Sequence, residues 1–592
     1  MDDQDEGGRE PVYDVVWPLG AIRHSDVPAA GSRAGLGGHR VAFVWDYLFR
    51  GPEMFSIIET EWRKLDPTTE FIDYEVFGSI GTSTPEGAGN VKLLSERLHE
   101  HRADYAVVGV GACGACMPAC VRAAAVCEAA GVTAITIGAT GFELLGHSVA
   151  RTLGIDHVPI VVYPGVVLSD TSETFSERVR DTVWPQIQEL VSQGRAEGAT
   201  ADRAPTDHTP APRDIVLSGD LDEIQERFND LLWTDGLPIV PPTRRRVEAF
   251  LSFTDRDPDD LVAVLPPENR SATIWNIAVN GVMAGCRPEY LPVLIAVVEC
   301  LADPVFRLED QGSTSGREPL ITISGPIVSE LDFNSGTGVM RLGRRANTTV
   351  ARFARLVMRN LAGLRIPPGD QDHGAFGCGF LVALAEDAER TKALGWTPYG
   401  VDRGFEDGDS VVTVQSVVNG SAPIYSAGES ADEHLSSISS LFADAMGARA
   451  MTGLLKNAWY PLLVLGPSVA ATLVEFGCDK QKIRTYLHQN TRIAARDMEA
   501  YVWISGGVKV TLADLAAEGK IPPGYVESSD PGRLVPMIPD PEWIGIMVAG
   551  NPNRNQSRAY VTDHVGGPPP ARQVVLPHRW KEQLGRSRPP RP

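Results

Sequence analysis

The stretch Tyr105–Cys127, YAVVGVGACGACMPACVRAAAVC, decides how the chain is read. Tyr105–Val110 is an apolar run rich in β-branched residues and ending in glycines, the pattern of a buried strand. A glycine-rich turn follows, and then a helix opened by Pro118, tolerated there because first-turn N–H groups have no intrahelical partner. Cys113, Cys116 and Cys120 fall at the turn and in the first helical turns, with Cys127 two turns further on. Four of the chain's eight cysteines therefore sit in one short segment. A helix N-terminus carries partial positive charge and unpaired N–H groups, which favour thiolate over thiol. Cys113 and Cys116 are accordingly the candidate reactive sulfurs.

Outward from this stretch the chain alternates. Short β-rich runs occur at Arg40–Trp45, Glu70–Val76, Tyr105–Val110, Thr133–Ile137 and Pro159–Tyr163. Helical patterns lie between and after them, at Glu53–Leu65, Val91–Arg102, Pro118–Ala130, Phe142–Leu153 and Ser172–Ser192. Strand–helix units of this length predict an α/β fold, a flavodoxin-like parallel sheet with helices on both faces. Ligands of such sheets bind beyond the carboxyl ends of the strands. Those ends carry Asp46 and Tyr47, the loop Gly78–Thr84 with Ser79 and Thr82, the cysteine turn, and Thr140 before Gly141. All are candidate substrate contacts, as are Gly111 and Gly114, where a missing Cβ would let the backbone approach a ligand.

The bulk numbers bound the class. At 592 residues two or three domains are expected, and 43% hydrophobic with 22% charged residues is the composition of a soluble globular protein. A net charge of −22 argues against nucleic acid or an anionic membrane as partner. The N-terminus MDDQDEGGRE lacks the basic and apolar regions of a signal peptide, so the expectation is a cytoplasmic protein with reduced cysteines. The apolar run Ala458–Gly477 is interrupted by Pro461, Gly466, Pro467 and Glu475 and reads as a strand and a helix rather than a membrane span. Composition divides the chain into a disordered arm (1–37), the α/β domain (38–193), a linker (194–213), a larger C-terminal α/β or α+β region (214–567) and a Pro/Arg-rich tail (568–592).

The C-x-x-C pair is the strongest chemical signal: two thiols so spaced can form a disulfide, or one can attack while the other resolves. A zinc or iron–sulfur reading needs Cys113, Cys116 and Cys120 together and has no obvious nearby fourth ligand; otherwise no metal or cofactor is required. Cys120 and Cys127 can instead face the sheet as small hydrophobes. GVGACG matches neither the phosphate-loop nor the dinucleotide pattern.

These residues also carry a family resemblance. The strand–GVGACGAC–helix arrangement resembles the UGSC-motif (seleno)protein family, with Cys113-Gly114-Ala115-Cys116 in place of the U-G-S-C tetrad. Thr140–Pro164 shares in the resemblance. DGLPIVPPT, NIAVNGVMAGCRPEYLPVL and NTTVARFARLVMRNLAG resemble the longer, two-region members. A position that accepts selenocysteine implies redox or strongly nucleophilic chemistry. The resemblance thus implies that Cys113 reacts and Cys116 resolves. Ala115 departs from the tetrad's serine, and Cys120 is an additional thiol.

The C-terminal region adds further candidates. Asn276 and Asn280 share a face of a predicted amphipathic helix ahead of Cys286, and Arg345 and Arg352 lie on an arginine stripe suited to a carboxylate or phosphate or to the protein's own acids. His373, before Cys378 in a glycine-rich loop, is a candidate general base. The leading expectation is a cysteine-dependent enzyme performing thiolate redox or nucleophilic chemistry at a carbon–heteroatom bond of a small organic molecule. A thiol reductant is a candidate partner, and a homo-oligomer is compatible with the sequence. The alternatives are a zinc or iron–sulfur protein and a non-catalytic small-molecule binder.

Overall fold

The computed structural model describes residues 11–23, 27, 29–31, 35, 37–81, 85–194, 210–313, 315–366, 379–456, 459–506, 510–563 and 567–587. Strand β1 is Tyr13–Val16, and the α/β domain then contributes β2 (Arg40–Trp45), β3 (Glu70–Ile72), β4 (Tyr105–Gly111), β5 (Thr133–Ala139) and β6 (Ile160–Tyr163). These last five form one parallel sheet in the order β3-β2-β4-β5-β6, the strand order 2-1-3-4-5 of flavodoxin-like folds. The helices are α1 (Gly51–Leu65), α2 (Pro85–Glu100), α3 (Cys116–Ala129), α4 (Glu143–Leu153), α5 (Ser172–Arg178) and α6 (Trp184–Gln193).

Successive side chains of a strand point to opposite faces, so an apolar strand needs cover on both. On one face Val41, Phe43 and Trp45 pack with Met54, Ile58 and Trp62 of α1 and Ile187 and Val191 of α6. On the other, Ala42 and Val44 meet Leu94 and Leu98 of α2, Val121 and Ala124 of α3, and Val149 of α4. The small residues on the second face let α3 lie close to the sheet. That closeness fixes where its N-terminus, and the cysteines, can sit.

The C-terminal region is built on a mixed eight-stranded sheet whose main path runs Leu384–Ala385, Glu318–Ser324, Val411–Gly420, Gln556–Thr562, Leu462–Leu465, Gly545–Val548. Helices Ile274–Met283, Leu291–Leu301 and Arg345–Leu361 pack in its larger core. Every residue of Ile274–Met283 is buried, so the predicted amphipathic face is absent.

Two expectations about the ends of the chain give way. Within the stretch read as a loose arm, β1 pairs antiparallel with β7 (Ile215–Gly219), and Val15 and Val16 are fully buried in the C-terminal core. Asn276 and Asn280 explain why: their side-chain amides donate to the carbonyls of Leu19 (3.3 Å) and Pro18 (3.0 Å), so the polar positions of a buried helix capture the arm's backbone. In the Pro/Arg-rich tail, Ala571–Gln573 adds a strand beside Val411–Thr413. Trp580 is buried there, with its indole N–H on Glu330 at 2.7 Å. The strand pairing, buried Val574 and this tryptophan together anchor a segment whose composition is that of a tail.

Asn280 also accepts from Asn360 Nδ2 at 2.9 Å, so Asn280→Leu would strand a carbonyl and an amide together. We expect it to lower the unfolding free energy of the C-terminal region by about 2–3 kcal/mol in denaturant titration.

Candidate functional site

Strand β4 ends at Gly111 and α3 begins at Cys116, and in the turn between them Cys113 and Cys116 are joined as a disulfide. The Cys116 backbone N–H donates to Cys113 Sγ at 3.0 Å, so the outer sulfur sits on the N-terminal N–H groups of α3. Cys113 is partly exposed whereas Cys116 is buried. Of the two, Cys113 is the sulfur a reagent meets first.

The glycines of this turn hold the turn itself. A Cβ on Gly111 would lie 2.3 Å from Met117 Sδ, and one on Gly146 would lie 2.3 Å from Met117 Cε. Met117 is thus wedged between strand and helix in a glycine-lined slot, locking the start of α3 to the sheet. A Cβ on Gly114 would lie 2.6 Å from the Gly312 carbonyl oxygen and 2.8 Å from Ser313 Cα, so the turn abuts the backbone of the C-terminal region. The approach read as room for a ligand at Gly111 and Gly114 is taken by the protein's own atoms.

Asp46 lies at the carboxyl end of β2, which pairs with β4 at the point where the strand order reverses. Its Oδ1 accepts from the N–H groups of Val110 (3.2 Å) and Leu48 (3.3 Å), while Oδ2 is buried with no hydrogen-bond partner among the described residues. Burial holds its pKa well above the ordinary 3.8, and the Val110 and Leu48 hydrogen bonds pull the other way without offsetting it. The carboxyl therefore retains a proton at pH values where an exposed aspartate has lost it.

Around this pair the other strand-end residues gather. Ser79 Oγ donates to the Asp46 carbonyl at 3.4 Å, and Tyr47, at φ 62°, stacks on Trp45 with ring centroids 4.4 Å apart. Thr140 is exposed at the end of β5, its Oγ1 donating to the Tyr163 carbonyl at 3.1 Å. Thr82 and His373 lie outside the described residues. Asn280 is in the C-terminal core, as above. Arg345 donates to the Gly285 carbonyl, and Arg352 pairs with Asp235 at 2.8 Å, so both arginines serve the protein's own groups.

Cys120 and Cys127 are fully buried on the sheet side of α3. Burial, with Asp46 second, pushes the Cys120 thiol well up; burial also raises Cys127, and takes Cys286 up to about 12. With Cys113 and Cys116 bonded to each other, the three-thiolate arrangement is not assembled. Among the described residues no group of three or more His, Cys, Asp or Glu side chains is placed to hold a metal ion.

Residues 307–313 and 315–317 lie at this site and are missed by reading the sequence alone. They run against α3, with Gly312 and Ser313 under Gly114 and with Arg307, Glu309 and Asp310 close enough to act electrostatically on Arg122. Arg307 pairs with Asp310 at 2.8 Å, and Arg317 with Asp563 at 2.9 Å and with Asp310 at 3.7 Å. Burial alone would raise the Asp310 carboxyl, but Arg307, Arg317 and Arg122 outweigh it and hold it below the ordinary range. The only signal of these residues in the sequence is a charged run broken by Gly and Ser, which is also what a solvent loop looks like.

The fold and site define a flavodoxin-like α/β domain with a thiol–disulfide turn at its topological switch point, closed from one side by a second region. The model of the UGSC family matches residues 14–193, and this part of the chain belongs to that family. No curated protein and no solved structure matches the chain.

A raised carboxyl pKa means that the folded state binds the proton more tightly than the unfolded one. The stabilisation this gives is complete below about 3.8 and is lost as pH rises through the folded pKa. Asp46→Asn should therefore raise the thermal midpoint at neutral pH, and the gain should shrink on acidification toward the ordinary carboxylate range. A midpoint difference that does not vary with pH would contradict this.

Proposed function

We propose that the chain is a cysteine-dependent enzyme in which Cys113 and Cys116 cycle between dithiol and disulfide while cleaving a carbon–heteroatom bond of a small organic molecule. The observation carrying this reading is the Cys113–Cys116 bond at the switch-point edge, beside a buried carboxyl with an oxygen unpartnered among the described residues. In the reduced form the Cys113 thiolate, held by the Cys116 N–H, displaces the heteroatom group from carbon and forms a thioether. The Cys116 thiolate then attacks Cys113 Sγ, forming the disulfide and expelling the carbon with the electron pair of the C–S bond. That carbon takes a proton, and the neutral Asp46 carboxyl is the nearby acid suited to supply it. Two thiols and R–X become a disulfide, R–H and HX, and an external dithiol returns the pair to its reduced form.

The electron pair left on carbon needs an acceptor, so the substrate carries a carbonyl or carboxyl next to the reacting carbon. The relative exposure of the two sulfurs supports the assignment of roles, since the attacking atom must be reached and the resolving atom need not be.

Cys113→Ser should abolish turnover while leaving the circular dichroism spectrum and thermal midpoint close to wild type. Cys116→Ser should complete the first displacement only and accumulate a Cys113 adduct visible by mass spectrometry. Full turnover by the Cys113 variant would sink the assignment. Asp46→Asn should retain adduct formation and lose at least about 100-fold in turnover, the ordinary contribution of a positioned acid.

A further inference from the structure

The segment behind the cysteine turn contains buried polar atoms that no group among the described residues satisfies. Asp310 Oδ1, Gln311 Oε1, Ser313 Oγ, and Arg317 Nε and Nη1 are all buried and have no hydrogen-bond partner among the described residues. Native proteins leave only a few such atoms per hundred residues, and here they concentrate between Asp310 and Arg317. The four residues are 4% exposed or less. Ser313 is the residue whose Cα lies 2.8 Å from the position of a Gly114 Cβ, which places the group directly behind the turn of Cys113 and Cys116.

The ion pairs of the seam do not account for these atoms. Arg317 gives only Nη2 to Asp563 as a hydrogen bond, and at 3.7 Å its Nη1 neutralises Asp310 without bonding to it. Turn hydrogen bonds from Ser313 N to Asp310 O (3.0 Å) and from Gly316 N to Ser313 O (2.9 Å) set the backbone, so Ser313 Oγ is not needed to form the turn. The described charges about the seam include the guanidiniums of Arg122, Arg307, Arg317 and Arg449 and the carboxylates of Glu309, Asp310 and Asp563. Two guanidinium N–H groups and a hydroxyl form a donor set suited to a carboxylate, and a buried arginine is the residue best able to hold one. The Asp310 and Gln311 oxygens are acceptors and suit a hydroxyl or amino group on the same molecule.

We infer that this seam is the substrate-anchoring site: Arg317 and Ser313 hold the carboxylate of a small organic acid bearing a hydroxyl or amino group. The inference rests on the dithiol reading, and it names the substrate class for that chemistry, because a carboxyl group next to the reacting carbon is what the departing electron pair requires.

Alkylation of the reduced protein by two reagents of equal size separates the claims. Iodoacetate carries the carboxylate and iodoacetamide does not, and mass spectrometry reads the rate at Cys113 for each. In the wild type, iodoacetate should be favoured over iodoacetamide relative to their ratio on a free thiol. Arg317→Gln should lower the iodoacetate rate at least about tenfold, the loss of a charge-assisted hydrogen bond, and leave iodoacetamide within about twofold. Ser313→Ala, which leaves the ion pairs in place, should lower the iodoacetate rate by a smaller factor in the same selective way. Acetate should protect wild-type Cys113 from iodoacetate saturably, a measurement that stands even where Arg317→Gln does not fold. An unchanged reagent ratio in Ser313→Ala and in folded Arg317→Gln overturns the anchoring site, as does absence of acetate protection. Slow labelling of wild-type Cys113 by both reagents overturns the dithiol reading itself, and the anchoring role with it.

Discussion

The contact on which the site depends is backbone against backbone: Gly114 on Gly312 and Ser313, closer than any side chain would allow. It brings a turn of the α/β domain and a polar segment of the C-terminal region into one place. A flavodoxin-like sheet alone presents an open strand-end edge, where a thiol would meet solvent on one side. With the second region against it, the Cys116 side of the turn is covered, and charged groups are held in a medium where they act more strongly than in water. Met117, wedged against Gly111 and Gly146, supplies the rigidity on the other side. The turn is held from two directions by contacts in which glycine is the required residue.

Much of the first domain is legible in the sequence. Its strands are continuous apolar runs because both faces are covered, and its helices fall between them at the spacing a parallel sheet requires. The cysteine turn is legible for the same reason, since a Gly-rich turn between such a strand and a Pro-opened helix can end up only at the carboxyl edge. What was not legible depends on partners distant in sequence. Nothing local in Leu308–Arg317 says that it meets α3, and nothing local in Asn276 and Asn280 says that their amides face the carbonyls of Pro18 and Leu19. The arginines of Arg345–Leu361 have side-chain chemistry that allows a ligand or an internal acid, and Asp235, more than a hundred residues away, is what engages Arg352.

Asp46 and Cys120 show how burial acts alike on two neighbouring groups of different chemistry. It raises the pKa of the Cys120 thiol behind the turn and that of the Asp46 carboxyl beside it. Cys113 differs in position: it accepts the Cys116 N–H at the helix N-terminus and is partly exposed. Position relative to a single helix thus separates a partly exposed, disulfide-bonded sulfur from a core one seven residues on, without any difference in residue type.

The strand Tyr13–Val16 carries a consequence for how the molecule is made. It belongs to the family-matched part of the chain but lies in the core of the other part, pairing Val15 with Leu217 and leading into Pro18, whose carbonyl is held by Asn280. A ribosome releases these residues roughly two hundred positions before their partners, at about 5–20 residues per second. During that interval the flavodoxin-like sheet, whose strand pairing is all internal, can close, while the partners of Val15 and Val16 are not yet made. This early strand therefore finds its full cover only after the sheet that follows it, once the C-terminal helix carrying Asn276 and Asn280 has emerged.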